Sequence, residues 1–153
     1  MSKIWDEIYS NDSAFFGEEP SDFAQKCYSD FKRYDVKRLL ELGCGQGRDS
    51  IFFASNGLDV YAVDSSKVAI ENIKQKMRGK NICLHLSHFE VRQTAPFDSN
   101  YFEAVYSHML YDVRFLDEEL KFLFITNFYA RLGIDLPQRR LTLGNFALTS
   151  FVL

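Results

Sequence analysis

The chain has 153 residues, 46% hydrophobic and 25% charged, a balance that fits one soluble globular domain with a single core. A net charge of −3 argues against broad nucleic-acid binding by simple electrostatics. Cys27, Cys44 and Cys83 are widely spaced and form no CxxC pair, so neither a disulfide framework nor a zinc site is indicated.

Residues 1–20 read as a polar and aromatic leader ending at Pro20, charged early and without the apolar stretch of a signal peptide. No apolar run reaches the length of a membrane span, and the reduced cysteines fit a cytoplasmic setting. Ser21 or Asp22 caps a helix whose Phe23, Cys27 and Phe31 recur every four residues. Leu39, Leu40 and Leu42 mark a first strand. A helix follows from Gly47 to Asn56, with Gly57 as its stop. "LDVYAVD" (58–64) is a second strand. "SSKVAIENIKQKMR" (65–78) is a serine-capped helix with Ala69, Ile73 and Met77 on one face. "NICLHL" (81–86) predicts a third strand and "YFEAVYSH" (101–108) a fourth, and "DEELKFLF" (117–124) opens another helix. From Leu141 to Leu153 the tail carries no charge and reads as one further strand. If unpaired, it is an aggregation liability. Strands alternating with helices predict an α/β fold, a Rossmann-like, doubly wound and mostly parallel sheet with helices on both faces. Ligands of such sheets bind at the carboxyl ends of the strands.

The first strand runs straight into E-x-G-x-G-x-G, formed by Glu41, Gly43, Gly45 and Gly47. Glycine permits a sharp turn and lets a ligand approach without meeting a Cβ, and the amides of the loop and the helix start can face a polar group. Asp64 ends the second strand, 17 residues after Gly47. A carboxylate there can accept hydrogen bonds from both hydroxyls of a ribose. The dinucleotide pattern G-x-G-x-x-G fails in both registers, because the third glycine is replaced by Arg48 or by Ser50. The carboxylate of Glu41 would repel a pyrophosphate and attract an ammonium or a sulfonium. S-adenosylmethionine carries both of those cations, and a ribose.

The stretch "LLELGCGQGRDSIFFASNGLDVYAVDSS" resembles the first two motifs of the class I S-adenosylmethionine-dependent methyltransferases. The leader "IWDEIYSNDSAFFGEEPSDF" resembles the branch that includes tellurite-resistance and thiopurine-type enzymes, whose N-terminal segment closes over the cofactor. The resemblance covers about Ile4 to Phe124. It implies that Glu41, Gly43, Cys44, Gly45 and Gly47 line the methionine end of the cofactor. Asp64 would hold the ribose with Ser65 and Ser66 beside it. Glu90 would meet the adenine between Phe89 and Val91, and Ser107 and His108 would lie near the sulfonium. His108 is the one catalytic candidate, its alternative being an ordinary polar residue at a strand end. His85 and His88 lack a third ligand, so no metal is expected.

The same resemblance implies later elements that this chain lacks: a Gly-Gly turn, a last strand and an antiparallel hairpin. The composition changes near Ile125, as a truncation or a reading-frame slip would produce. The expected organisation is one domain, with an N-terminal lid and helix (1–35), a cofactor-binding core (36–124) and an atypical tail (125–153). The expected activity is methyl transfer to a small-molecule acceptor, impaired if the tail is missing part of the pocket. Two alternatives stand beside it: a non-catalytic cofactor-binding module that forms homo-oligomers through an open sheet edge, and a nucleotide-dependent oxidoreductase.

Overall fold

A computed structural model describes residues 2–89, 101–108 and 151–152. In chain order the elements are α1 (Ser2–Asn11), α2 (Asp22–Arg33), β1 (Arg38–Leu42), α3 (Arg48–Ser55), β2 (Asp59–Asp64), α4 (Lys67–Lys76), β3 (Leu84–His88), β4 (Ala104–Ser107) and β5 (Phe151–Val152). The sheet order is β3-β2-β1-β4-β5. β1 to β4 are parallel, with Leu42 opposite Val63 on one side and Ser107 on the other. The chain therefore leaves β1 toward β2 and returns to its other side at β4. That reversal opens a crevice at the carboxyl ends of β1 and β4, the place where ligands of open α/β sheets bind.

Parallel strands are covered on both faces, so their sequences are apolar throughout rather than alternating. Leu39, Val60, Ala62, Ala104 and Tyr106 form one core with Phe31 of α2, Phe53 of α3 and Ile70 and Ile73 of α4. Leu40, Leu42, Val63 and Val105 alternate to the opposite face and are buried as well. Phe53 is the aromatic centre of the first core, with ring centroids 5.5 Å from Phe31 and 5.0 Å from Tyr106. The serine caps fall where their sequences predict. Ser21 accepts from the Ala24 amide and Ser66 from the Ala69 amide, starting α2 and α4.

Three expectations need revising or fall elsewhere. Within the polar and aromatic leader, residues 2–11 form a helix, and it docks on α4: Asp6 Oδ1 accepts from Ser66 Oγ at 2.6 Å, and the Tyr9 carbonyl accepts from Asn72 Nδ2 at 3.0 Å. The third strand begins at Leu84, later than the apolar run at 81–86 implies, because pairing with Val60–Asp64 sets its register. The helix expected at 117–124 and the strand expected from Leu141 lie outside the described residues, apart from Phe151–Val152, which pair antiparallel with Val105 and Ala104.

Gly47 caps α3 in the left-handed conformation, φ 80°. A Cβ at this position would stand 2.7 Å from Ile73 Cδ1 on α4. Gly47 thus lets α3 and α4 pack closely. Gly47→Ala should cost about 1–2 kcal/mol from backbone strain alone, plus the clash. Ile73→Ala should cost about 2–5 kcal/mol. The double variant should lose less than the sum of the two, since removing Ile73's side chain removes the clash; denaturant unfolding of the three variants measures that coupling.

Candidate functional site

Asp64 stands at the carboxyl end of β2 and is 8% exposed. Its Oδ2 accepts from the Gly45 amide at 2.7 Å and its Oδ1 from the Ser66 amide at 2.8 Å. Burial raises its pKa, the amides of Ser66, Gly45 and Ser65 oppose that rise, and Asp6 adds to it. Each oxygen keeps a second lone pair for a ligand hydroxyl. The glycine loop is held from below as well: the amides of Gly43 and Cys44 both donate to the Val63 carbonyl, at 2.9 and 3.1 Å.

Tyr9 lies over this loop. A Cβ added to Gly45, whose φ is 51°, would come within 2.5 Å of the Tyr9 hydroxyl oxygen. Burial, with Asp64 and Cys44 nearby, pushes the Tyr9 phenol up, so it remains a hydroxyl that can donate. The chain after α1 is tied to the same loop. Gln46 Oε1 accepts from the Phe16 amide at 2.7 Å and Gln46 Nε2 donates to the Gly17 carbonyl. Arg48 donates to the Phe16 carbonyl at 2.6 Å. Tyr9 is thus buried and set against Gly45.

Glu41 shares the α3-facing side of β1 with Leu39 and is 3% exposed. Its Oε2 accepts from Ser50 Oγ at 2.5 Å. Burial raises its pKa well above the usual carboxyl range, and the charges of Asp49 and Asp64 push the same way; Ser50 and Arg48 offset only part. A buried acid in that condition is short of a cation, and a ligand ammonium would supply one. The Cys44 thiol is likewise pushed well up by burial and by Asp64 and Glu41. It is a packing group here, with no nucleophilic character.

Asp49 went unread in the sequence, where it passes for an ordinary acid in the first turn of a helix. Its Oδ1 accepts from the Ser21 amide at 2.7 Å, and its Oδ2 accepts from Tyr106 Oη at 2.7 Å and Ser21 Oγ at 2.8 Å. His108 Nδ1 lies 3.5 Å from the same Oδ2. Burial by itself would raise Asp49, yet the contacts with His108, Ser21 and Tyr106 outweigh it and hold the carboxyl down at about 2. Tyr106, buried beside Asp49 and Glu41, has its phenol pushed far up. No sequence pattern shows this cluster, because it joins an α2 cap, an α3 first turn and the end of β4.

The remaining candidates divide. Ser66 is fully buried as the α4 cap, and half-buried Ser65 presents its carbonyl to His88 Nε2 at 3.0 Å. The Phe89 amide donates to the Asp64 carbonyl at 2.9 Å, which brings that buried ring to the Asp64 end of the crevice. Glu90 and Val91 lie outside the described residues. Ser107 Oγ donates to the Leu42 carbonyl at 3.1 Å, closing β4 against β1 just before the glycine loop. His85 stacks on Tyr61 and meets Asp59 at 2.9 Å on the far edge of the sheet. Among the described residues, no group of three His, Cys, Asp or Glu side chains could hold a metal ion, and no helix is long and apolar enough to cross a membrane.

Comparison with known proteins agrees with this geometry. No curated protein matches the chain. Among solved structures, TehB of Haemophilus influenzae is 20% identical with a TM-score of 0.55, over 73% of this chain and 37% of that one. A protein of Methanococcus maripaludis assigned as an S-adenosyl-L-methionine-dependent methyltransferase is 18% identical with a TM-score of 0.55, over 86% of this chain and 56% of that one. The CcbJ methyltransferase of Streptomyces caelestis is 18% identical with a TM-score of 0.51, over 66% of this chain and 40% of that one. The chain thus spans about half the length of these structures or less, and at such identities the likeness is one of fold. The family model described as "Methyltransferase domain" matches residues 39–132, from the start of β1 across the glycine loop, Asp64 and β4. By that match over most of its length, the chain belongs to the methyltransferase domain family.

Proposed function

We propose that the chain binds S-adenosylmethionine at the carboxyl ends of β1, β2 and β4 and directs methyl transfer to a small-molecule acceptor. The observation that carries this reading is the link between Asp64 and Gly45, which fixes a bare loop beside a carboxylate that still has lone pairs to offer. The residues present fit that cofactor. Asp64 suits the ribose, Glu41 suits the ammonium, and the Tyr9 hydroxyl lies over the bare Cα of Gly45. Glu41 also disfavours a pyrophosphate, so a dinucleotide is the poorer match. The cofactor supplies a methyl group already activated on a sulfonium. The protein's share is then orientation, where good alignment is worth about 7–11 kcal/mol.

In this reading residues 1–35 are the lid and first helices, 36–124 the cofactor core and 125–153 the tail of one domain. The alternative of a non-catalytic module that assembles through an open edge gains nothing from β4, since Ala104 and Val105 already pair with β5.

Calorimetric titration with S-adenosylhomocysteine tests the reading directly. Wild type should bind it and not NAD. Asp64→Ala, in folded protein, should weaken binding about ten- to a hundredfold, the worth of hydrogen bonds to a charged acceptor. Failure of the folded wild type to bind would overturn the proposal.

A second prediction concerns Glu41 and pH. Its folded pKa lies above the unfolded value of about 4.3, so the native state holds the proton more tightly. Its contribution to stability is present below that value and is lost as pH rises toward neutral. Glu41→Gln should therefore raise the melting temperature at pH 7 and leave it little changed near pH 4. The same variant should weaken binding of S-adenosylhomocysteine by about tenfold or more, since it removes the partner of the ammonium. A variant neither more stable nor weaker in binding at pH 7 would count against both roles.

A further inference from the structure

His108 is the first residue after β4, beside Ser107, which is bonded to the end of β1. It therefore stands at the crevice where the sheet order reverses, close to the start of the glycine loop. Its side chain is 19% exposed, half-enclosed but reachable. The Phe23 ring of α2 lies against it at 5.4 Å between centroids, and Tyr106 at 6.4 Å. The titratable groups against it among the described residues are Asp49 of α3 and Tyr106 of β4, and Asp49 in turn faces Arg48 and Glu41.

A carboxylate 3.5 Å from Nδ1 favours the tautomer that turns an N–H toward it. The carboxylate only accepts, so Nδ1 carries the proton and Nε2 keeps its lone pair. Asp49 is well built for this. Three other donors, the Ser21 amide, Ser21 Oγ and Tyr106 Oη, already pin it at 2.7–2.8 Å, so it neither swings away nor readily takes up a proton. A purely structural buried acid would need no histidine, because those three bonds satisfy it.

We infer that Asp49 is a positioning residue that holds His108 with Nε2 free, and that His108 is the proton acceptor for an acceptor substrate bearing an O–H or N–H group. This rests on the methyltransferase reading above. In the step, the acceptor's proton passes to Nε2 and its lone pair forms the new bond to the methyl carbon. The carbon–sulfur bond breaks with its electron pair left on sulfur, which becomes a neutral thioether. A thiolate-like acceptor would need no such base, so the Asp49–His108 pair narrows the substrate class to alcohols, phenols or amines.

The test uses the ¹⁵N-labelled full chain and long-range proton–nitrogen NMR of its histidine rings. Only three histidines are present, and His108→Gln identifies the signal that disappears. At pH 8 wild type should show His108 with Nδ1 protonated and Nε2 bare. Asp49→Asn should abolish that preference and Tyr106→Phe should keep it. A His108 protonated at Nε2, or on both nitrogens at pH 8, would overturn the inference, as would a preference unchanged in Asp49→Asn. The wild-type spectrum decides on its own if Asp49→Asn does not fold. Calorimetry separates this inference from the reading beneath it. His108→Gln should bind S-adenosylhomocysteine within about threefold of wild type. A folded His108→Gln weakened more than tenfold would make His108 part of the cofactor grip and sink the inference. Absence of binding by wild type would instead sink the methyltransferase reading, whatever the tautomer.

Discussion

One carboxylate organises the site. Asp64 takes the Gly45 amide on one oxygen and the Ser66 amide on the other, so its side chain ties the loop after β1 to the turn after β2, alongside the Val63 carbonyl that holds Gly43 and Cys44. Neither segment has regular structure to hold it. Without that acceptor two buried amides would be left unpaired, at about 1–3 kcal/mol each. Ser66 then caps α4 and receives Asp6 from α1, and α4 in turn packs against Gly47. α1 and the glycine loop are both linked to this acid.

Three acids lie buried around the crevice, and their surroundings send them different ways. Asp49 is satisfied four times over and sits low. Asp64 accepts two amides and rises despite them. Glu41 has one hydroxyl donor and two acidic neighbours, and rises well above the usual carboxyl range. The difference lies in the donors: a carboxylate whose donors the protein supplies is settled, and one left short of positive charge has unmet capacity for a cation. Glu41 is thus held at a cost to stability that a bound cation would offset, the usual pattern of functional sites.

Much of this was legible in the sequence, and the reason is locality. The glycine loop, Asp64 and the serine caps act through neighbours a few residues away, so spacing alone places them. α1 was missed because a ten-residue helix is marginal by itself and is held by side-chain contacts to α4 that no local pattern records. The start of β3 was misjudged because pairing with β2, rather than the run of apolar residues, decides where it begins. The packing constraint at Gly47 was not legible, since the atom a side chain there would meet belongs to Ile73 of α4. Asp49 escaped notice altogether, since its partners Ser21 and Tyr106 are 28 and 57 residues away.

The attachment of α1 also bears on the order in which the molecule assembles. Asp6 reaches Ser66 across 60 residues, and Asn72 reaches the Tyr9 carbonyl across 63. Neither partner exists in place until β1, α3 and β2 have come together, because only then is α4 held where its first turn can receive Asp6. Closing so long a loop carries an entropic cost before any contact rewards it, whereas the β1–α3–β2 unit closes over far shorter spans. The helix that precedes the core in the chain is therefore joined to it by long closures, while Asp64 and Gly45 meet across only 19 residues.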